Sequence, residues 1–293
     1  MTIIERRRKN IEIFKNTIQT CEAHPILTES IESSVRIQRV FLEEDRVDVS
    51  MPDPNGEKAR IIVSGKRTLE AAADYAKAGM RVCVLNFADW TNPGGWVLRG
   101  SSAQEESLCR CSTLYPCISD GRMMEQFYLP HKAKTKDPMH ILHNDDIIYT
   151  PSVTVFKSDT PLPELLSEND WYQVDVITCA APRLRLRSAD RKKLGVSGDI
   201  LEIEESKLRD ILSSRIRKIL ATPIIFNSQN YDALILGGWG CGAFRNPPEL
   251  VAELFYEQIK GFCRHYKVIE FPIYHTKRDD KNYAAFCKHI NHN

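Results

Sequence analysis

The sequence predicts an α/β fold with a largely parallel sheet covered on both faces. Three observations carry this expectation. Apolar runs of strand length at 61–63, 82–87, 174–180, 233–236 and 268–274 are nearly continuous, the pattern of strands buried on both sides. Stretches of helical periodicity alternate with them. Glycine-rich loops close two of the runs, with seven of the 14 glycines lying in 94–100 and 237–242.

Taken in order, residues 4–19 place Ile4, Ile11, Phe14 and Ile18 on one helical face with charges opposite. An amphipathic helix packed on a core is expected there, its Arg6 to Lys9 run forming a solvated face. Strand-like runs at 35–42 and 60–64 flank a turn at 51–56 rich in Pro, Asp and Gly. A helix over 68–78 has Thr68 as its N-cap. The strand at 82–87 enters the first glycine loop, and a helix follows over 104–115. Residues 119–145 are less regular, carry Pro130, His131, Lys132, Lys134, Lys136, His140 and His143, and read as a surface excursion. After the strand at 174–180 comes a basic loop, 183–198, with Arg183, Arg185, Arg187, Arg191, Lys192 and Lys193. Helices over 199–220 and 247–263 alternate with the last strands, and 283–290 forms a closing helix. No repeat, low-complexity linker or composition break interrupts the chain. Residues 1–293 are therefore expected to form a single domain, with 1–30 as an N-terminal helical extension.

Composition narrows the function. The 293 residues are 42% hydrophobic and 27% charged, ordinary for a globular chain long enough to bury a sizeable core. Forty Lys and Arg against 39 Asp and Glu leave a net charge of +1, which argues against a surface built for duplex nucleic acid. No apolar run approaches the ~18 residues of a membrane helix. The charged start of the chain lacks the apolar stretch of a signal peptide. Nine cysteines include Cys83 and Cys179 inside apolar strand-like runs, which points to reduced thiols in a cytoplasmic compartment.

The chemistry concentrates in two loops. Residues 86–106 leave a buried strand through Asn92, Pro93, Gly94, Gly95 and Trp96 and enter a helix beginning Gln104, Glu105, Glu106. Ligands of open α/β sheets bind outside the carboxyl ends of the strands. Paired glycines there let the backbone approach a ligand, although a plain connection with carboxylates complementing a helix N-terminus has the same pattern. Residues 233–248 run from a buried strand into Gly237, Gly238, Gly240 and Gly242, then Ala243, Phe244 and a Pro-started helix. Such a loop forms a phosphate or diphosphate cradle from backbone N–H groups. It is neither a Walker A loop nor a dinucleotide GxGxxG. Phe87, Trp90, Trp96, Trp239 and Phe244 flank the loops; stacking on a ligand is assigned to Phe244 alone, the others reading as packing. Cys241 reads as a small residue fitting a tight loop. Cys109, Cys111 and Cys117 lack zinc spacing, and His140 and His143 lack a partner set, so no metal and no cofactor are expected. By themselves the residues describe a nucleotide-diphosphate binder with an acid/base group nearby.

The Asn92-Pro-Gly-Gly stretch followed by Gln104, Glu105 and Glu106 resembles the signature of poly(ADP-ribose) glycohydrolases. The context, including 106–115 and the second loop at 237–246, is similar to the bacterial-type subfamily, from about residue 60 to the C-terminus. The resemblance implies a macrodomain-like three-layer sandwich with a central mixed, largely parallel sheet. It implies cleavage of ribose–ribose O-glycosidic bonds in poly(ADP-ribose) with release of ADP-ribose. Glu106 then corresponds to the catalytic acid and Glu105 to a neighbour holding ribose hydroxyls. Asn92, Gly94 and Gly95 correspond to the catalytic loop. Gly238, Gly240, Cys241, Gly242 and Ala243 fall in the diphosphate loop, and Phe244 is the aromatic that positions the terminal ribose. Gln104 and Trp96 complete the ligand-binding set. Where the family triplet has a third glycine this chain has Trp96; if that position needs a positive φ, an indole is costly there.

Adjacent glutamates cannot flank one bond from opposite sides, so one carboxylate must do most of the proton work. Burial favours the protonated form that an acid needs. Two other activities fit the same residues: release of mono-ADP-ribose from protein or nucleic acid, and an ADP-ribose-binding module with weak catalysis. The expected partners are ADP-ribose or poly(ADP-ribose) chains on modified proteins, with no membrane, no duplex nucleic acid and a monomeric state. A nuclear location is an alternative to the cytoplasm if the source is eukaryotic.

Overall fold

The computed structural model describes residues 1–45, 57–227, 231–277 and 279–290. The turn expected at 51–56 lies outside them. Among the described residues seven strands form one sheet: β1 (Arg39–Phe41), β2 (Arg60–Ser64), β3 (Val82–Phe87), β4 (Ile147–Val155), β5 (Tyr172–Cys179), β6 (Tyr231–Ile235) and β7 (Tyr266–Pro272). Their order is β1-β4-β5-β3-β6-β7-β2. The β5–β3, β3–β6, β6–β7 and β7–β2 pairs are parallel, while β1–β4 and β4–β5 are antiparallel. The sheet is therefore mixed and largely parallel, as the resemblance implies.

Alternate residues of each strand feed two cores, which makes the three layers. Val82, Val84, Val176 and Ile235 face one side, where α1 (Ile3–Ala23), α3 (Thr68–Ala76), α4 (Gln104–Cys111) and α5 (Leu114–Ile118) contribute Phe14, Leu69, Leu108 and Leu114. Cys83, Leu85, Ile177 and Leu234 face the other. There α9 (Glu205–Asn227), α10 (Pro248–Ile259) and α11 (Lys281–Ile290) contribute Ile216, Phe255 and Phe286. Full burial of each such side chain favours folding by about 1.5–3 kcal/mol. The other α-helices among the described residues are α2 (Pro25–Ile37), α6 (Gly121–Met123), α7 (Leu129–Lys134) and α8 (Ser188–Leu194).

Several expectations change. The N-terminal helix buries Asn10, Phe14, Thr17 and Cys21; of the expected apolar face Phe14 is buried and Ile18 packs partly buried on the same core, while Ile4 is 80% exposed. Its partner surface presents main-chain carbonyls. The Asn10 side-chain amide donates to Gly100 O (3.0 Å) and the Thr17 hydroxyl to Arg110 O (2.6 Å). The run at 35–42 is the end of α2 followed by the short β1. Strand β4 went unread because Pro151 and Ser152 interrupt its pattern. They sit at a register shift between Thr150 and Val153, where Ser152 has φ 54°. The helix expected over 104–115 breaks after Cys111, because Ser112 forms a bridge with Val155. Thr68 is the first helical residue; Arg67 is the N-cap, its N–H donating to Glu70 (3.1 Å). Residues 119–145 are no surface excursion. They wind through α6, a π-turn (Met124–Tyr128) and α7, with Met123, Phe127 and Tyr128 all buried. The basic loop contains α8, and the helix expected over 199–220 runs Glu205–Asn227 with Pro223 inside it.

Candidate active site

The first loop is organised around Asp89. Its carboxylate Oδ1 accepts from the amides of Thr91 (2.9 Å) and Asn92 (3.0 Å) and from the Asn92 side chain (3.1 Å). This is an Asx-type turn that bends the chain directly after β3. The Asp89 N–H donates to Glu105 Oε2 (2.7 Å), and Asn86 of β3 donates to Glu105 Oε1 (3.3 Å). Gln104 straps the same strand end to α4. Its Oε1 accepts from Phe87 N (2.9 Å) and its Nε2 donates to Leu85 O (2.8 Å). Sequence reasoning missed Asn86 and Asp89. The signal available was two polar residues at the end of an otherwise apolar strand.

Glu105 and Glu106 occupy the first turn of α4, where the helix dipole favours negative charge. They are 3% and 4% exposed. Burial raises the Glu105 pKa well above the ordinary carboxylate range, against the lowering effect of the Asp89 amide. Glu106 is held differently: its Oε1 accepts from the Trp96 amide at 3.0 Å. Among the described residues its Oε2 has no hydrogen-bond partner. A Cβ built on Gly95 would stand 2.8 Å from Glu106 Oε1 and 2.9 Å from Glu105 Oε2. Both carboxylates thus converge on the Gly95 backbone, although neighbouring helix residues diverge by about 100° at the backbone. Gly95 also has φ 60°, so nothing larger fits.

Trp96 has φ −106°, an ordinary value for a residue with a Cβ. The strain expected of an indole at this position is absent, because Gly94 and Gly95 take the positive φ values of the triplet and Trp96 does not.

The second loop follows β6. The Gly240 φ is 76°, and a Cβ there would come within 2.6 Å of both Ala181 Cβ and Asn246 Nδ2. Asn246 Nδ2 donates to Pro182 O (2.8 Å) and to Gly240 O (3.0 Å), pinning the loop to the segment after β5. Trp239 is fully buried, its indole N–H donating to Cys179 O (3.0 Å). Among the described residues the amides of Gly238, Gly240, Gly242, Ala243 and Phe244 carry no hydrogen bond. They form the concave N–H surface suited to an anion.

The two loops bound one cavity of about 1170 Å³. Of the expected site residues, Gly95, Trp96, Gln104, Glu105, Glu106, Gly238, Gly240, Gly242, Ala243 and Phe244 line it. Asn92, Gly94 and Cys241 do not. The Asn92 amide is turned back onto Asp89, and Gly94 packs against Tyr115 and Cys109. Burial pushes the Cys241 thiol pKa up, which leaves no thiolate for nucleophilic chemistry. Phe244 is half-buried and meets His143 edge-on at 5.7 Å. His131, His140 and His143 ring Trp90, at 5.4, 4.5 and 4.1 Å. His143 hydrogen-bonds Ala181 O (2.7 Å), and burial drives its pKa well below the ordinary value.

All nine cysteines are free thiols. Among the described residues no helix is long and apolar enough to cross a membrane.

Comparison with known proteins agrees with this geometry. Residues 9–158 match the family model of the microbial-type PARG catalytic domain, PARG being poly(ADP-ribose) glycohydrolase. No curated protein sequence matches the chain. Among solved structures, poly(ADP-ribose) glycohydrolase from Thermomonospora curvata is 29% identical with a TM-score of 0.78, over 97% of this chain and 100% of that one. The same enzyme bound to the inhibitor ADP-HPD is 31% identical with a TM-score of 0.76, over 96% and 99%. Poly(ADP-ribose) glycohydrolase from Deinococcus radiodurans in complex with ADP-ribose is 25% identical with a TM-score of 0.72, over 89% and 97%. With fold, glycine loops and paired glutamates in one place, the chain belongs to the microbial-type poly(ADP-ribose) glycohydrolase catalytic-domain family and is a glycosidase of that class.

Proposed function

We propose that the chain hydrolyses ribose–ribose O-glycosidic bonds in poly(ADP-ribose), on modified proteins, with Glu106 as general acid and base. The observation that carries this is the difference between the two buried carboxylates. Both oxygens of Glu105 accept hydrogen bonds from Asn86 and Asp89, whereas Glu106 is fixed through Oε1 alone and keeps Oε2 for the cavity. Glu105 is the positioned neighbour suited to ribose hydroxyls. The N–H surface of 238–244 takes the diphosphate, and Phe244 packs against the terminal ribose.

In the reaction Glu106 gives its proton to the departing ribose oxygen as the C–O bond breaks. The electron pair leaves with that oxygen, and an oxocarbenium-like carbon develops beside the substrate diphosphate. Water then adds to the carbon and returns a proton to the Glu106 carboxylate. One carboxylate serves both steps, which avoids the opposed pair of ordinary glycosidases. We read residues 1–293 as one functional domain, since α1 is hydrogen-bonded to the loop and helix of the site, and propose that it acts as a cytoplasmic monomer.

The test incubates labelled poly(ADP-ribose) and a mono-ADP-ribosylated protein in parallel with wild type and Glu106→Gln. Wild type should release ADP-ribose from the polymer. The variant should lose about 10³-fold in turnover, ~4 kcal/mol of barrier, and still bind ADP-ribose. Normal turnover by Glu106→Gln would remove Glu106 from its role. Release from the mono-modified protein alone would make that bond the substrate. Tight binding without release from either would indicate a binding module.

A further inference from the structure

A glycosidase acid reaches the oxygen of the leaving unit, so that unit sits beside Glu106. Trp96 adjoins Glu106 at the cavity, and its amide holds Glu106 Oε1 at 3.0 Å. Its half-buried indole lines the cavity. The Arg99 guanidinium lies over that ring at 4.5 Å and the Arg187 guanidinium at 5.9 Å. Arg187 and Arg185 come from the loop after β5; both are exposed and both line the cavity. Among the described residues the side chains of Arg99, Arg185 and Arg187 have no ion-pair partner. Arg183 in the same loop is buried and paired with Asp190 at 2.9 Å. The loop therefore commits one arginine to its own structure and leaves two at the cavity.

Resting on the polymer-cleaving reading above, we propose that Trp96, Arg185 and Arg187 form a subsite for the leaving ADP-ribose unit. The two guanidiniums take its diphosphate, and the indole supplies the flat apolar surface for its adenosine. A contact with the ring face leaves the N–H edge of Arg187 available, and that edge matches phosphate oxygens in a paired fashion. The chain carries a net charge of only +1, so attraction for a polyanion has to be local. A third glycine at position 96 would provide no such surface.

The test uses the full chain and the exposed Arg187. Arg187→Gln should raise KM for poly(ADP-ribose) about 5- to 10-fold with little change in kcat, the loss expected of one charge-assisted phosphate contact. It should also flatten the rise of KM with salt. Kd for free ADP-ribose, which fills only the retained side, should stay within about two-fold, and Arg187→Lys should recover part of the loss. An unchanged KM overturns the subsite. Equal weakening of free ADP-ribose overturns it as well, by placing Arg187 on the retained unit. If wild type releases nothing from the polymer, the reaction assignment fails separately. Binding of short polymer to Glu106→Gln with and without Arg187→Gln then still reads the subsite, because a polymer-specific loss supports it and equal affinities refute it.

Discussion

The main-chain amide of Trp96 donates to Glu106 Oε1 at 3.0 Å, joining the glycine loop to the first turn of the following helix. This bond orients one of two adjacent buried carboxylates and leaves the other to Asn86 and Asp89. Two residues that share a helix turn thereby acquire different surroundings.

Gly95→Ala should be severe. The added Cβ meets both carboxylates below 3.0 Å at a φ of 60°. Turnover should fall at least about 10²-fold through misplacement of the acid, and stability by roughly 1–2 kcal/mol from the backbone strain. Steady-state kinetics and thermal melting read the two effects separately.

Asn246→Ala should weaken ADP-ribose binding more than it slows chemistry. The side chain ties Gly240 O and Pro182 O together, and its loss frees the N–H cradle. The buried Pro182 carbonyl left unpaired costs about 1–3 kcal/mol, while Gly240 O keeps the Asn246 main-chain amide at 3.0 Å. Calorimetric titration should show Kd for ADP-ribose rising about ten-fold, with a lower melting temperature.

Asn10→Ala should couple the N-terminal helix to the site. Gly100 O loses its donor in a buried setting, at a cost of about 1–2 kcal/mol. Gly100 follows the short helical turn Val97–Arg99 beyond Trp96, so kcat should fall a few-fold while ADP-ribose affinity holds. An unchanged melting temperature would show that α1 docks without this bond.

Stability should fall on acidification through the ordinary histidine range. His143 is half-buried with a pKa lowered by desolvation, so the unfolded chain binds the proton that the folded chain resists. Its contribution is complete above the unfolded value near ~6.5 and diminishes as pH drops below it. His143→Asn keeps a donor for Ala181 O. Its melting temperature should vary less between pH 7 and 5 than that of wild type.

Glu105 gives the opposite slope. Its folded pKa is raised by burial, so its stabilising protonated form is complete below the unfolded carboxylate value near ~4.3 and is lost as pH rises through the folded value. Glu105→Gln keeps an oxygen for the Asp89 amide. Relative to wild type it should gain melting temperature as pH increases from 4 to 8.

The sequence by itself determined the alternation of β3, α4, β5, α9, β6, α10 and β7, because continuous apolar runs and amphipathic stretches are local patterns. It also determined the two glycine loops and the paired glutamates, since these are contiguous. It did not reveal β4, whose Pro151 and Ser152 look like a loop until β5 supplies the bulged register. Nor did it reveal the polar face of α1, because Asn10 and Thr17 bond carbonyls about 90 residues away in the chain. Tertiary structure alone decided that Glu105 and Glu106 both reach Gly95, and that Trp96 sits at an ordinary φ. It alone brought Arg185 and Arg187 to the cavity holding Glu106. The physical reason is one of range. Backbone preference and periodicity act over a few residues, whereas hydrogen bonds to Asp89 and Trp96 and the closure of two distant loops depend on how the strands are ordered in the sheet.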